Sequence, residues 1–206
     1  MGEWNLPLAL LDIVPVVLFF FGTVELMKAF YPNMSQAQYS MFSAGGIMIF
    51  LAGMMKAVWK MLLVLGICDY AILSDSFFPV QSTGFVLAAF STVRFAGTKQ
   101  KKSDYENFSA VPVMASKMPF IILTFLGTTV FYGSLTAIGV KKNKMIAVFF
   151  ISAYAFNMIQ VFLASKFDSS SLMNWLAEIV NTLAQTCMWL GAKRLHQAYQ
   201  DEKYGY

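Results

Sequence analysis

Residues 6–30 read LPLALLDIVPVVLFFFGTVELMKAF, an apolar stretch in which the only ionisable side chains are Asp12, Glu25 and Lys28. A helix of that length reaches about 37 Å, more than the roughly 30 Å of hydrocarbon in a bilayer. The stretch therefore predicts a membrane span. Trp4 before it and Tyr31-Pro32 after it suit the two interfaces. It does not read as a cleavable signal: Glu3 stands where a basic segment would be, and the apolar run is too long.

The pattern recurs along the chain. Further apolar runs at about 39–65, 78–96, 118–140, 145–165 and 171–191 predict an all-α integral membrane protein with six transmembrane helices, forming one domain over 1–206. The second run stays apolar as far as Leu73, too long for one crossing, so the helix is ended at Leu65-Gly66. Pro79 and Pro119 open the third and fourth spans, where a missing N–H costs nothing. Asp168–Ser171 supplies capping side chains for the sixth. Residues 98–117 form the longest polar loop and 193–206 a polar C-terminal tail.

Composition points the same way. Hydrophobic residues make up 58% of the chain and charged residues 13%, about half the charged share of soluble domains. The net charge of +4 comes from lysines at the ends of apolar runs, as in Lys99–Lys102 and Lys141–Lys144. That placement suits lipid headgroups and gives no basic patch for nucleic acid. Cys68 and Cys187 make neither a disulfide framework nor a CxxC site, and His196 is the lone histidine. No metal site and no cofactor are expected. GxSxG, HExxH, GxGD and P-loop sequences are absent, which weighs against an enzyme.

Six crossings would return both termini to one side. That side would carry eight basic residues, Lys56, Lys60, Lys141, Lys142, Lys144, Lys193, Arg194 and Lys203. The opposite side would carry seven, Lys28, Arg94, Lys99, Lys101, Lys102, Lys117 and Lys166. The near balance hardly orients the chain. Lysines abutting span ends favour cytoplasmic termini in a plasma (inner) membrane. Balanced charge and two short matches suggest a 3+3 inverted repeat: Phe21-Gly22-Thr23 with Leu126-Gly127-Thr128, and Met54-Met55-Lys56 with Met158-Ile159-Gln160.

An ionisable group at mid-membrane costs about 2.5–3.5 kcal/mol on insertion scales, so each one needs a reason. By depth, Asp12 and Lys56 form an expected intramembrane ion pair, with Lys60 reaching the headgroups. Glu25 and Arg94 approach the opposite side, where Glu178 is also expected. Asn174, Glu178, Asn181 and Gln185 recur at intervals of four, three and four, on one helix face. Asn157 and Gln160 in the fifth span, and Thr124, Thr128 and Tyr132 in the fourth, extend the polar set. The expected ligand site is a cavity among Glu178, Asn174, Asn181, Gln185, Asn157, Gln160, Glu25 and Arg94. The same amides serve equally as interhelical hydrogen bonds, at about 0.6 kcal/mol each.

The expectation is a transporter or solute-binding membrane subunit. The alternative is an interaction or sensor subunit whose polar residues only hold helices together. The expected partners are the lipid bilayer and a small-molecule or ion substrate; a protein partner or homo-oligomer is left open.

Overall fold

The computed structural model describes residues 6–97, 117–165 and 171–204, all of them helix, turn or short connection. The helices are α1 (Leu6–Leu11), α2 (Ile13–Phe30), α3 (Gln36–Val64), α4 (Ala71–Asp75), α5 (Phe77–Gly97), α6 (Lys117–Lys142), α7 (Lys144–Ser165) and α8 (Ser171–Tyr204). Among the described residues, five stretches are long and apolar enough to cross a membrane: Leu6–Phe30, Gln36–Val64, Ala71–Gly97, Met118–Lys142 and Lys144–Leu163. The longest helix, α8, is not among them. Asn174, Glu178, Asn181 and Gln185 interrupt its apolar half, and a polar tail follows. Large apolar side chains such as Phe21, Leu51, Ile122, Leu126, Val148 and Phe162 lie on the outside of the bundle. Water would penalise such a surface and lipid accepts it. These features fit an integral membrane protein in contact with a bilayer.

Local sequence explains the helix ends. Ser35 caps α3 in a capping box: its Oγ accepts from the Gln38 N–H, and Gln38 Oε1 accepts from the Ser35 N–H. At the other end Gly66 takes φ +67°. The Gly66 N–H then reaches Leu63 O and the Ile67 N–H reaches Leu62 O, a Schellman termination that only glycine enters without strain. Asn143 makes the tight α6–α7 corner, its Oδ1 accepting from the Met145 N–H at 2.9 Å. Pro15 leaves Leu11 O without its helical donor, next to the interruption at Asp12 between α1 and α2.

The six long helices form a closed ring in chain order, α2–α3–α5–α6–α7–α8, with α8 returning to α2. Small residues let the backbones approach. Gly45 faces Gly84 and Ala88, and the Ser91 hydroxyl donates to Gln38 O at 2.7 Å, so α3 and α5 run antiparallel. Gly46 on Thr23 and Gly53 on Val16 make α2 and α3 antiparallel. Gly139 on Ala147 does the same for α6 and α7, and Gly191 on Phe149 and Phe150 joins α7 to α8.

Two contacts run the other way. Gly127 packs on Phe85 and Val86, while Lys141 Nζ donates to Ala96 O at 2.8 Å; α5 and α6 are therefore parallel. Gly22 packs on Met188 and Trp189, and Glu25 meets His196, so α2 and α8 are parallel too. The bundle is thus two up–down–up triplets, α2–α3–α5 and α6–α7–α8, pointing the same way. This corrects the expected inversion. The Phe21-Gly22-Thr23 and Leu126-Gly127-Thr128 match does fall on equivalent places, each glycine seated on the last helix of the other triplet.

Leu6 and Tyr204 consequently lie at opposite ends of the bundle, where a return to one end was expected. The end holding Asp12 also has Lys56, Lys60 and Lys117, with the acids Asp12, Asp69, Asp75 and Glu178. Among the described residues, the end holding Lys28 has eight cations, Lys28, Arg94, Lys141, Lys142, Lys144, Lys193, Arg194 and Lys203, against Glu25, Asp201 and Glu202. Once the second triplet is turned over, the charge balance becomes an asymmetry.

Aromatic packing concentrates towards the Lys28 end. Phe30 meets Phe42 edge-on at 5.1 Å and Phe95 at 5.2 Å, while Phe131 contacts Phe42, Phe85 and Tyr132. Gly45 offers a direct test of this packing. A methyl there would lie 2.6 Å from Gly84 O and 2.8 Å from Ala88 N, both backbone atoms that cannot swing aside. Gly45→Leu should lower stability by about 1–3 kcal/mol, as overpacking does. Gly133 has nothing within 4 Å of a built methyl, and Gly133→Ala should be neutral or gain up to about 1 kcal/mol. Thermal unfolding in detergent separates the two. Equal melting temperatures would mean that α3 and α5 do not touch in this way.

Candidate functional site

One buried ion cluster joins three helices near the Asp12 end. Asp12, at the α1–α2 interruption, is 6% exposed, and Lys60, four residues before the end of α3, is 4% exposed. Lys60 Nζ pairs with Asp12 Oδ2 and, at 3.3 Å, with Glu178 Oε1 on α8. The two carboxyl groups thus approach one ammonium from different helices. One turn earlier on α3, Lys56 places its ammonium 4.8 Å from the Phe77 ring centroid, within electrostatic range of all three charges. The direct partner of Asp12 is therefore Lys60, where Lys56 was expected. Helical phase is the reason: position 60 faces α2 and α8, while position 56 turns towards α5.

Two carboxylates and two ammonium groups are close to neutral as a set, which keeps the cost of burial tolerable. The arrangement holds a cation between two acids from different helices. A proton, or an exchanging cation arriving from the Asp12 end, would compete for the same oxygens.

The polar face of α8 continues inward from this cluster. Gln185 is buried and its Nε2 donates to Asn181 Oδ1 at 3.4 Å. Among the described residues, Gln185 Oε1 has no hydrogen-bond partner. Thr182 and Thr186 instead return their hydroxyls to the carbonyls of Glu178 and Thr182. Asn174 is half-buried one turn nearer the Asp12 end.

A second polar group lies between α6 and α7. Asn157 Nδ2 donates to Ala153 O at 2.8 Å and to the Tyr132 hydroxyl at 3.4 Å, and the Thr129 and Tyr154 hydroxyls are 3.0 Å apart. Thr124 donates to Phe120 O, Thr128 is buried and Gln160 is half-buried.

Glu25 and Arg94 sit at the opposite end of the bundle from Glu178, because α2 and α8 are parallel. Glu25 Oε2 is 2.6 Å from His196 Nδ1, its Oε1 is 3.0 Å from Lys28 Nζ, and Gln200 Nε2 lies 3.0 Å from His196 Nε2. Arg94 is exposed, with its guanidinium over the Phe90 ring at 5.6 Å. Nearby Tyr199 lies under Lys142 Nζ, 4.2 Å from the ring centroid. Burial, and then the Glu202 charge, push its hydroxyl up to about 12, so it stays neutral at physiological pH.

Sequence reasoning thus placed Lys60 at the headgroups and passed over His196. The first difference follows from the helical phase of α3, the second from the parallel packing of α2 and α8. With α2 and α8 started from one end, Asp12 and Glu178 fall at equal depth and the acid pair becomes visible. No group of three or more His, Cys, Asp or Glu able to hold a metal occurs among the described residues. No family model, curated protein or solved structure matches the chain.

Proposed function

We propose that the protein is a small transport or solute-binding membrane protein whose site is the Asp12–Lys60–Glu178 cluster, with Asn181 and Gln185 continuing it inward. The observation that carries this reading is the convergence of two carboxylates, one at the α1–α2 junction and one on α8, on one buried lysine. Helix packing alone does not need acids. Gln185 Oε1, without a hydrogen-bond partner among the described residues, adds an acceptor on the same helix face.

In this reading α8 is a sixth crossing, its polar stripe sheltered by α2 and α7. The eight-cation end faces the cytoplasm, as the positive-inside rule requires. The cluster then opens towards the outer face. A plasma-membrane location follows as part of the proposal.

The competing reading, an interaction or sensor subunit, draws on the α6–α7 set. Asn157 bonds to Tyr132 and Thr129 to Tyr154 across the two helices, contacts that need no ligand. Thermal stabilisation of the solubilised protein by a panel of small solutes and cations separates the readings. At least one solute should raise the melting temperature of the native protein and fail to do so for Glu178→Gln, which preserves shape. Stabilisation of Glu178→Gln equal to that of the native chain, or no stabilisation of either, would favour the interaction subunit.

A further inference from the structure

Between α2 and α3 at the Lys28 end lies an open groove of about 400 Å³, lined by Val24, Met27, Lys28, Tyr31 and Tyr39. We infer that this groove binds an anionic phospholipid, with the headgroup phosphate at Lys28 and the two tyrosines and an acyl chain along Val24 and Met27. The inference rests on the membrane reading of the chain and is independent of the ion cluster at the other end.

Chemistry along the groove changes in the order a lipid requires. Val24 and Met27 lie deeper in the span and are apolar. Lys28 and Tyr31 follow at its end, and Tyr39 comes in on the first turns of α3. The Tyr31 and Tyr39 rings meet edge-on at 5.2 Å at the α2–α3 turn, where tyrosines suit a membrane interface. Tyr31 is 69% exposed, so the groove opens to the outside of the bundle, away from its interior.

The ammonium of Lys28 gives one hydrogen bond to Glu25 at 3.0 Å and has three N–H groups to give. Glu25 in turn is engaged by His196. The groove also lies at the end where cations outnumber acids eight to three among the described residues, and basic pockets between spans at a cytoplasmic face select anionic headgroups. Charge complementarity therefore singles out an anionic lipid over a zwitterionic one.

The test uses the full chain, delipidated in detergent and titrated with phosphatidylglycerol or phosphatidylcholine under native mass spectrometry. Phosphatidylglycerol should bind the native protein about fivefold more tightly, a ratio worth ~1 kcal/mol. Lys28→Gln should abolish that preference, and Tyr39→Phe, which keeps the ring contact, should weaken it. The double variant Lys193→Gln, Arg194→Gln should retain it, since those cations lie outside the groove. Equal binding of both lipids to the native protein would overturn the inference, as would an undiminished preference in Lys28→Gln. Displacement of phosphatidylglycerol by inorganic phosphate at equal concentration would also overturn it, by identifying a soluble anion as the occupant.

Discussion

Lys60→Met is expected to lower the stability of the solubilised protein by about 3–5 kcal/mol, the cost of removing one partner from a buried ion pair. The loss has little to do with the methylene stem, which methionine replaces. It arises because Asp12 and Glu178 are left facing each other, both nearly out of solvent. Neutralising them should restore most of what was lost. The triple change Lys60→Met, Asp12→Asn, Glu178→Gln should therefore melt well above the single variant, a non-additivity diagnostic of direct coupling. Lys56→Met supplies the contrast. Its ammonium has a ring contact at 4.8 Å, and its loss should cost about 1 kcal/mol. Equal melting temperatures for the two lysine variants would mean that Lys60 does not bridge the acids.

An all-or-none result is expected from labelling the two ends of the bundle. Cys68 is exposed at the Asp12 end, just past α3, and Asn143 lies at the α6–α7 corner at the Lys28 end. In a Cys187→Ser background, a membrane-impermeant maleimide applied to intact cells should modify Cys68. With Cys68 also replaced by Ser, the Asn143→Cys variant should react only after permeabilisation. Six strictly alternating crossings would put both positions on one face. Reaction of both from the same side would therefore reject the parallel packing of α5 on α6. The experiment bears on a demanding feature of the chain. Gly97 and Lys117 lie at opposite ends, and the sequence joining them carries Lys99, Lys101, Lys102, Asp104 and Glu106, charges that bare hydrocarbon does not accept.

The helices themselves were legible because membrane spans are written in composition and length. Leu6–Phe30 and the Lys141–Lys144 corner announce themselves without any knowledge of neighbours. So did the polar face of α8, since a four–three–four spacing is a property of one helix. Direction was a different matter. Alternation is the default inference from a chain of spans, and nothing in the residues between Gly97 and Lys117 overrides it. Every expectation that depended on relative depth inherited the error, including Glu178 beside Glu25 and Arg94. Lys56 against Lys60 failed for a separate reason. Two residues one turn apart share a face, and only the azimuth of α3 against α2 and α8 decides which one reaches Asp12. The positive-inside rule shows how much one direction is worth. Of the fifteen basic residues that balanced eight to seven, eleven lie among the described residues, eight at one end and three at the other.

Closure of the helix ring between α2 and α8 has a consequence for how the protein is made. Asp12 emerges from the ribosome early and Lys60 soon after, and the two can neutralise each other as soon as α3 follows α2. Glu178 is synthesised more than a hundred residues later. Until α8 is made, the seam of α2 at Gly22 lacks its packing partners, Met188 and Trp189. The last helix is thus both the final piece of the wall and the carrier of the second acid. A chain truncated before residue 178 would keep the Asp12–Lys60 pair but lose the second acid and the helix that closes the ring between α7 and α2.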